Sequence, residues 1–148
     1  MNIEKRRILI TGSTGCIGTH AVDFLLSEAS GEIFGFNRSI PIGSDEKNDY
    51  QCISGDLSDP ESIARVVEEV QPTHVIHLGA LQTPDCRDYP MKGLDINVIG
   101  TAHLFQACTQ LKRPLERFVF ASSSAVNGAR SLYGPEGVRP EDPYHPVN

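Results

Sequence analysis

Apolar positions fall into short, nearly unbroken runs, separated by helix-length stretches where they recur every three or four residues. "RRILIT" (Arg6 to Thr11) predicts a buried strand; "EIFGFN" (Glu32 to Asn37), "THVIHLGA" (Thr73 to Ala80), which runs into a small-residue turn, and "ERFVFASS" (Glu116 to Ser123) predict further strands. "YQCISG" (Tyr50 to Gly55) predicts a weaker one. "CIGTHAVDFLLSEA" (Cys16 to Ala29) predicts a helix with Ile17, Val22, Leu25 and Leu26 at helical spacing and Gly31 as its stop. A second helix is capped by Ser58 or Asp59, opens at Pro60 with Glu61 in its first turn, and continues to about Val70. A third covers roughly Met91 to Leu111, with Leu94, Val98, Thr101, Ala102, Leu104, Phe105 and Cys108 as its apolar side. Ser39 to Asp49, with Pro41 and Gly43, is an irregular connection, and "LQTPDCRDYP" (Leu81 to Pro90) is a loop.

Five strands alternating with helices or crossovers predict an α/β fold, a doubly wound parallel sheet with helices on both faces. The expected strand order is 3-2-1-4-5. Its ligand crevice would lie at the carboxyl ends of strands one and four, where the order reverses. Residues 1–126 form the predicted domain. Residues 127–148, rich in Gly and Pro, read as a loop.

A chain of 148 residues is one domain's worth, and 39% apolar with 22% charged residues is ordinary for a soluble protein. The net charge of −6 argues against nucleic acid or an anionic membrane as partner, because no excess of Lys and Arg is available for phosphates. No run approaches the ~20 apolar residues of a membrane span, and "MNIEKRRILI" lacks the features of a signal peptide. A cytoplasmic location is the expectation. Cys16, Cys52, Cys86 and Cys108 fit neither a zinc site nor a disulfide framework and read as reduced, mostly buried thiols. Cys16 stands at a helix start, where the dipole lowers a thiol's pKa. The plainer reading makes it a small filler in the turn.

The candidate chemistry begins at "TGSTGCIG" (Thr11 to Gly18), between the first strand and the first helix. Amide groups and the positive helix end there suit a pyrophosphate. Gly12 permits a sharp turn, Gly15 a close approach of backbone to phosphate, and Gly18 close packing of helix on strand. The spacing is G-x-x-G-x-x-G. It is neither the commonest dinucleotide fingerprint nor a P-loop, since no G-K-[ST] follows.

This loop resembles the T-G-x-x-G-x-x-G segment of the extended short-chain dehydrogenases, the NAD(P)-dependent sugar-nucleotide epimerase/dehydratase family. Four more segments resemble family motifs in the same order: "GDLSD" (Gly55 to Asp59), "HLGA" (His77 to Ala80), "NVIGT" (Asn97 to Thr101) and "FVFASSSAVNG" (Phe118 to Gly128). The resemblance implies that Gly12, Gly15, Cys16 and Ile17 line a pyrophosphate and that Asp56 and Leu57 meet adenine. It also implies that Leu78, Gly79 and Ala80 pass under the ribose and nicotinamide side and that Asn97 approaches from the third helix. Asp56 has the alternative of a turn or cap residue, and Asn97 that of bonding a neighbouring loop. His77 reads as a packed strand-end histidine.

At the end of strand two, "FNRS" carries Asn37, Arg38 and Ser39 and no carboxylate. A carboxylate there would bind both ribose hydroxyls of NAD and repel a 2′-phosphate. Its absence and the permanent charge of Arg38 favour NADP. In the alternative, Asn37 binds the hydroxyls of NAD while Arg38 stacks on adenine or lies in solvent.

The resemblance implies a hydroxyl residue after strand five, aligned with Ser123, that binds the reacting substrate oxygen. It also implies an acid/base Tyr-x-x-x-Lys. No such pair occurs: the fourth residue after Tyr133 is Gly137, and after Tyr144 it is Asn148. The expectation is a chain lacking its catalytic helix, later strands and substrate domain, with negligible turnover of its own. The partners it implies are a dinucleotide, a nucleotide-sugar substrate and further copies of the chain, since open sheet edges and apolar patches self-associate. A non-catalytic NAD(P)-binding sensor or partner module is the alternative.

Overall fold

The computed structural model describes residues 5–40 and 50–146; the expected connection over 41–49 lies outside them. Five strands, β1 (Arg7–Thr11), β2 (Glu32–Asn37), β3 (Tyr50–Ser54), β4 (His74–His77) and β5 (Arg117–Phe120), form one parallel sheet in the order β3-β2-β1-β4-β5. This is the predicted doubly wound topology. In register, Ile10 of β1 pairs with Gly35 of β2 and with Ile76 of β4.

Alternation along β1 divides the core. Leu9 faces Phe34, Ile63, Val66, Val67, Val75 and Leu104, under helices α2 (Pro60–Val70) and α5 (Thr101–Thr109). Ile8 and Ile10 face Val22 and Ile33, under helix α1 (Cys16–Ser27). Asp59 caps α2 by accepting from the Glu61 amide at 3.0 Å, with Pro60 in the first turn. Ala29, at φ 46°, turns the chain out of α1.

Three expectations need correction. The segment after β4 is not all loop: α3 (Thr83–Asp88) forms there, opened by Pro84 and Asp85. The third predicted helix is α4 (Pro90–Leu94), a π-helical turn (Asp95–Gly100) and α5 in succession. It buries Gly93, Ile96, Gly100, Leu104 and Cys108, while Leu94, Val98 and Phe105 are exposed. Small residues let this helical run sit close to its neighbours, so its packed side is not its most hydrophobic one. Within α1, Ile17 is exposed and Gly18 takes the buried place.

Strand β5 ends at Phe120. Short 3-10 turns at Ser124–Asn127 and Arg130–Leu132 follow, and the tail returns so that the His145 amide donates to the Val126 carbonyl at 2.9 Å. No helix among the described residues is long and apolar enough to cross a membrane.

Candidate dinucleotide site

The turn after β1 is shaped by two glycines. Gly12 has φ 71°, and a Cβ on it would stand 2.8 Å from the Gly79 amide nitrogen. A Cβ on Gly18 would collide with the Gly12 carbonyl and lie 2.6 Å from the Ser13 Cα. The helix therefore begins directly against the turn. The Thr19 amide donates to Gly15 at 2.9 Å, which leaves the first-turn amides of Cys16, Ile17 and Gly18 at the open end of α1.

That end opens on a crevice of about 380 Å³ at the carboxyl ends of β1 and β4. Gly12, Gly15, Cys16, Ile17 and Gly18 line it from the loop and α1, with Asn37 and Arg38 at the end of β2. Leu57 enters from the turn after β3, and Leu78, Gly79 and Ala80 from the turn after β4. These residues come from four separate connections, and the parallel sheet brings them to one place.

Asp56, Asn97 and Ser123 are not among the lining residues. The Asp56 carboxylate accepts from the Ser58 amide and hydroxyl, both at 2.8 Å. The Ser58 amide is the main reason its pKa is lowered; the Arg38 and Lys92 charges add to this. Asn97 clamps the loop after β4: it accepts from the Leu81 amide at 2.7 Å and donates to the Leu81 carbonyl at 3.0 Å. The Ser123 hydroxyl accepts from the Ala125 amide at 3.2 Å and caps the 3-10 turn beyond β5.

Cys16 is exposed and lines the crevice, so it is no buried filler; Cys52 and Cys108 are buried and Cys86 is half-buried. Thr14, Phe36, Gly55, Leu81, Gln82, Ile96 and Ala121 also line the crevice without having been expected there, as does Ser39, which the sequence placed at the end of strand two without a role. Thr14 and Ala121 stand inside quoted motifs. Phe36 and Ser39 flank Asn37 and Arg38, so adjacency was the available signal. His77, 2% exposed, is packed at the end of β4 as expected and bridges Thr11 and Thr101.

Residues 8–148 match the model of the NAD dependent epimerase/dehydratase family. The chain belongs to that family. It is 30% identical over 135 residues to a UDP-glucose 4-epimerase of Mycoplasma genitalium, covering 84% of this chain and 38% of that protein. The UDP-glucose 4-epimerase of Thermus thermophilus, solved in complex with NAD, superposes with a TM-score of 0.76 at 32% identity. That match covers 95% of this chain and 44% of the other. The Bordetella bronchiseptica enzyme WbmG, solved with NAD and UDP, gives a TM-score of 0.79 at 23% identity over 97% of this chain and 45% of its own, a likeness of fold. The chain thus spans less than half the length of these relatives. The part of these structures that it matches includes the parallel sheet described above.

Proposed function

We propose that the crevice binds a nicotinamide dinucleotide and that the chain is the cofactor-binding part of an epimerase, dehydratase or reductase acting on a nucleotide sugar or a related alcohol or ketone. One observation carries this reading: the open end of α1, with the first-turn amides of Cys16, Ile17 and Gly18, lies on the crevice that these residues line together with Gly12 and Gly15, a setting suited to a diphosphate. In the proposed pose, Gly12, Gly15, Cys16 and Ile17 hold the pyrophosphate, and Asp56 and Leu57 border adenine. Leu78, Gly79 and Ala80 lie under the ribose and nicotinamide side. Asn97 acts on that side through Leu81, whose loop it clamps. When bound, the dinucleotide supplies a hydride donor or acceptor.

NADP is preferred over NAD in this reading. No carboxylate stands at Asn37, Arg38 or Ser39, and the exposed Arg38 lines the crevice. Ser123, next to β5, is assigned the substrate oxygen, to which it would donate its O–H proton while its oxygen keeps accepting from the Ala125 amide. The 148 residues contain no Tyr-x-x-x-Lys pair, so they alone are proposed to bind cofactor without turnover. Exposed Leu94, Val98 and Phe105 on the helical run, with Val119 and Phe120 on edge strand β5, support association of copies. Light scattering is expected to give a mass above that of one chain.

Calorimetric titration with NADP and with NAD tests the central reading. The expected result is saturable binding of both, tighter for NADP. Binding of neither would overturn it.

A further inference from the structure

A polar cluster lies beneath the glycine loop. Ser13 is 1% exposed, and Asn37 and Cys52 are each 7% exposed. Asn37 sits at its centre. Its carboxamide oxygen accepts from the Thr14 amide at 3.1 Å and from the Thr14 hydroxyl at 3.2 Å. Its nitrogen donates to the Ser13 hydroxyl oxygen at 2.7 Å and to the Cys52 sulfur at 3.2 Å. Tyr50 completes the cluster from below, with its hydroxyl 2.8 Å from that of Ser13. Burial pushes the Tyr50 phenol up to about 12, so it stays a neutral partner across the physiological range. Gly35 provides the space: a Cβ there would run into the Ser13 and Tyr50 hydroxyls.

Both protons of the Asn37 amide and both acceptor sites of its oxygen are therefore engaged. Turning the group toward a ribose would break bonds to Ser13, Thr14 and Cys52 together and leave buried polar atoms unpaired. Three members of the cluster, Ser13, Tyr50 and Cys52, do not line the crevice.

We propose that Asn37 is a positioning residue and not a cofactor ligand: its carboxamide fixes the Ser13–Thr14 limb of the glycine loop and does not read the ribose 2′-substituent. The inference rests on the dinucleotide reading above and revises the part Asn37 was expected to play in it. Discrimination between NAD and NADP then falls to Arg38 and Ser39. Tyr50, which does not line the crevice, becomes a second positioning residue acting through Ser13.

The test titrates NAD and NADP into the wild-type chain, Asn37→Ala, Tyr50→Phe and the double variant. Each single change is expected to weaken both cofactors by a similar factor, up to about tenfold. The NAD-to-NADP affinity ratio should stay within about twofold of wild type, and the double variant should cost less than the product of the singles, because both act through one network. Hydrogen exchange without ligand supplies a local readout. The Thr14 amide should exchange faster in both single variants, while the Gly35 and Phe36 amides of β2 keep their protection. A tenfold change of ratio in Asn37→Ala, or independent effects of the two changes, would overturn the proposal. Tyr50→Phe keeps shape and burial, so the test survives if Asn37→Ala fails to fold. Failure of the wild-type chain to bind either dinucleotide would mark the parent reading as the error, and the proposal would fall with it.

Discussion

Thr11 and His77 occupy paired positions on adjacent parallel strands, and the Thr11 hydroxyl lies 2.6 Å from Nδ1 of His77. The neighbouring bonds settle the direction of this contact. The Thr101 hydroxyl donates to the Asn97 carbonyl at 2.8 Å, so its oxygen is the acceptor for Nε2–H of His77 at 2.9 Å. The Gly79 amide donates to the Thr11 oxygen at 3.0 Å, and the Thr11 hydroxyl donates to Nδ1. Counting donors thus assigns a neutral imidazole protonated on Nε2. One chain of hydrogen bonds runs from the floor of the crevice at Gly79 to the π-helical turn that holds Asn97.

Stability should therefore depend on pH through His77. Burial pulls its pKa from 6.5 down to about 4. Between these values the unfolded chain takes up a proton that the folded one refuses. The contribution is fully present above about pH 6.5 and is lost as pH falls toward 4, amounting to about 3 kcal/mol. Urea unfolding at pH 7 and pH 4.5 should show a steeper loss for wild type than for His77→Gln. Equal slopes would contradict the neutral, buried assignment.

Gly12→Ala should damage both fold and site. The substitution places a side chain at φ 71° and 2.8 Å from the Gly79 backbone, where no flexible group can yield. A cost of about 1–3 kcal/mol follows from the strained backbone alone. The expected readouts are a lowered melting temperature and loss of dinucleotide binding. Gly134→Ala, at a glycine with open space around its Cβ position, is the control that should change neither.

The sheet was legible because its central strands β1 and β2, buried on both faces, and the exposed edge strand β5 alike carry short apolar runs. The predicted bounds of β2, Glu32 to Asn37, are those observed, and β1 differs by one residue. Helix α2 was legible from its cap and Pro60. Helix α3 was not, because Pro84 reads as loop punctuation in the sequence yet occupies a first helical turn. The packed side of the run from Pro90 to Thr109 was hidden for a different reason. Close approach selected Gly93 and Gly100, which carry no hydrophobic signal, and left Leu94 and Val98 outside. The glycine loop announced the crevice, but the cluster of Ser13, Asn37, Tyr50 and Cys52 did not. It depends on a register that sets Gly35 opposite Cys52 and Ile33 opposite Tyr50, a relation between strands that one linear pattern does not encode.

Cys16 offers a footprint of the site. Its thiol is exposed on the crevice wall, whereas Cys52 and Cys108 are buried. Iodoacetamide should modify Cys16 well ahead of those two, because alkylation requires access. Saturating NADP should slow the Cys16 reaction at least severalfold without changing the slower sites, as peptide mass spectrometry would read directly. Unchanged labelling in the presence of bound NADP would place the dinucleotide away from the start of α1.

Arg38→Ala should abolish the preference for NADP while leaving NAD binding nearly intact. At ~4 Å and an effective dielectric of about 20, a guanidinium and a phosphate charge attract by about 4 kcal/mol before desolvation. Arg38 is exposed and its charge already acts on the Asp56 carboxylate, so much of that attraction is offset. A remainder of about 1.4 kcal/mol suffices for a tenfold preference. The variant should therefore weaken NADP about tenfold and NAD much less, by titration calorimetry. Added salt should narrow the wild-type preference, since the Debye length falls from about 30 Å at 0.01 M to 10 Å at 0.1 M, and should leave the variant's ratio flat. Equal losses for both cofactors would mean that Arg38 holds the adenine or the diphosphate, groups the two share, and not the 2′-phosphate.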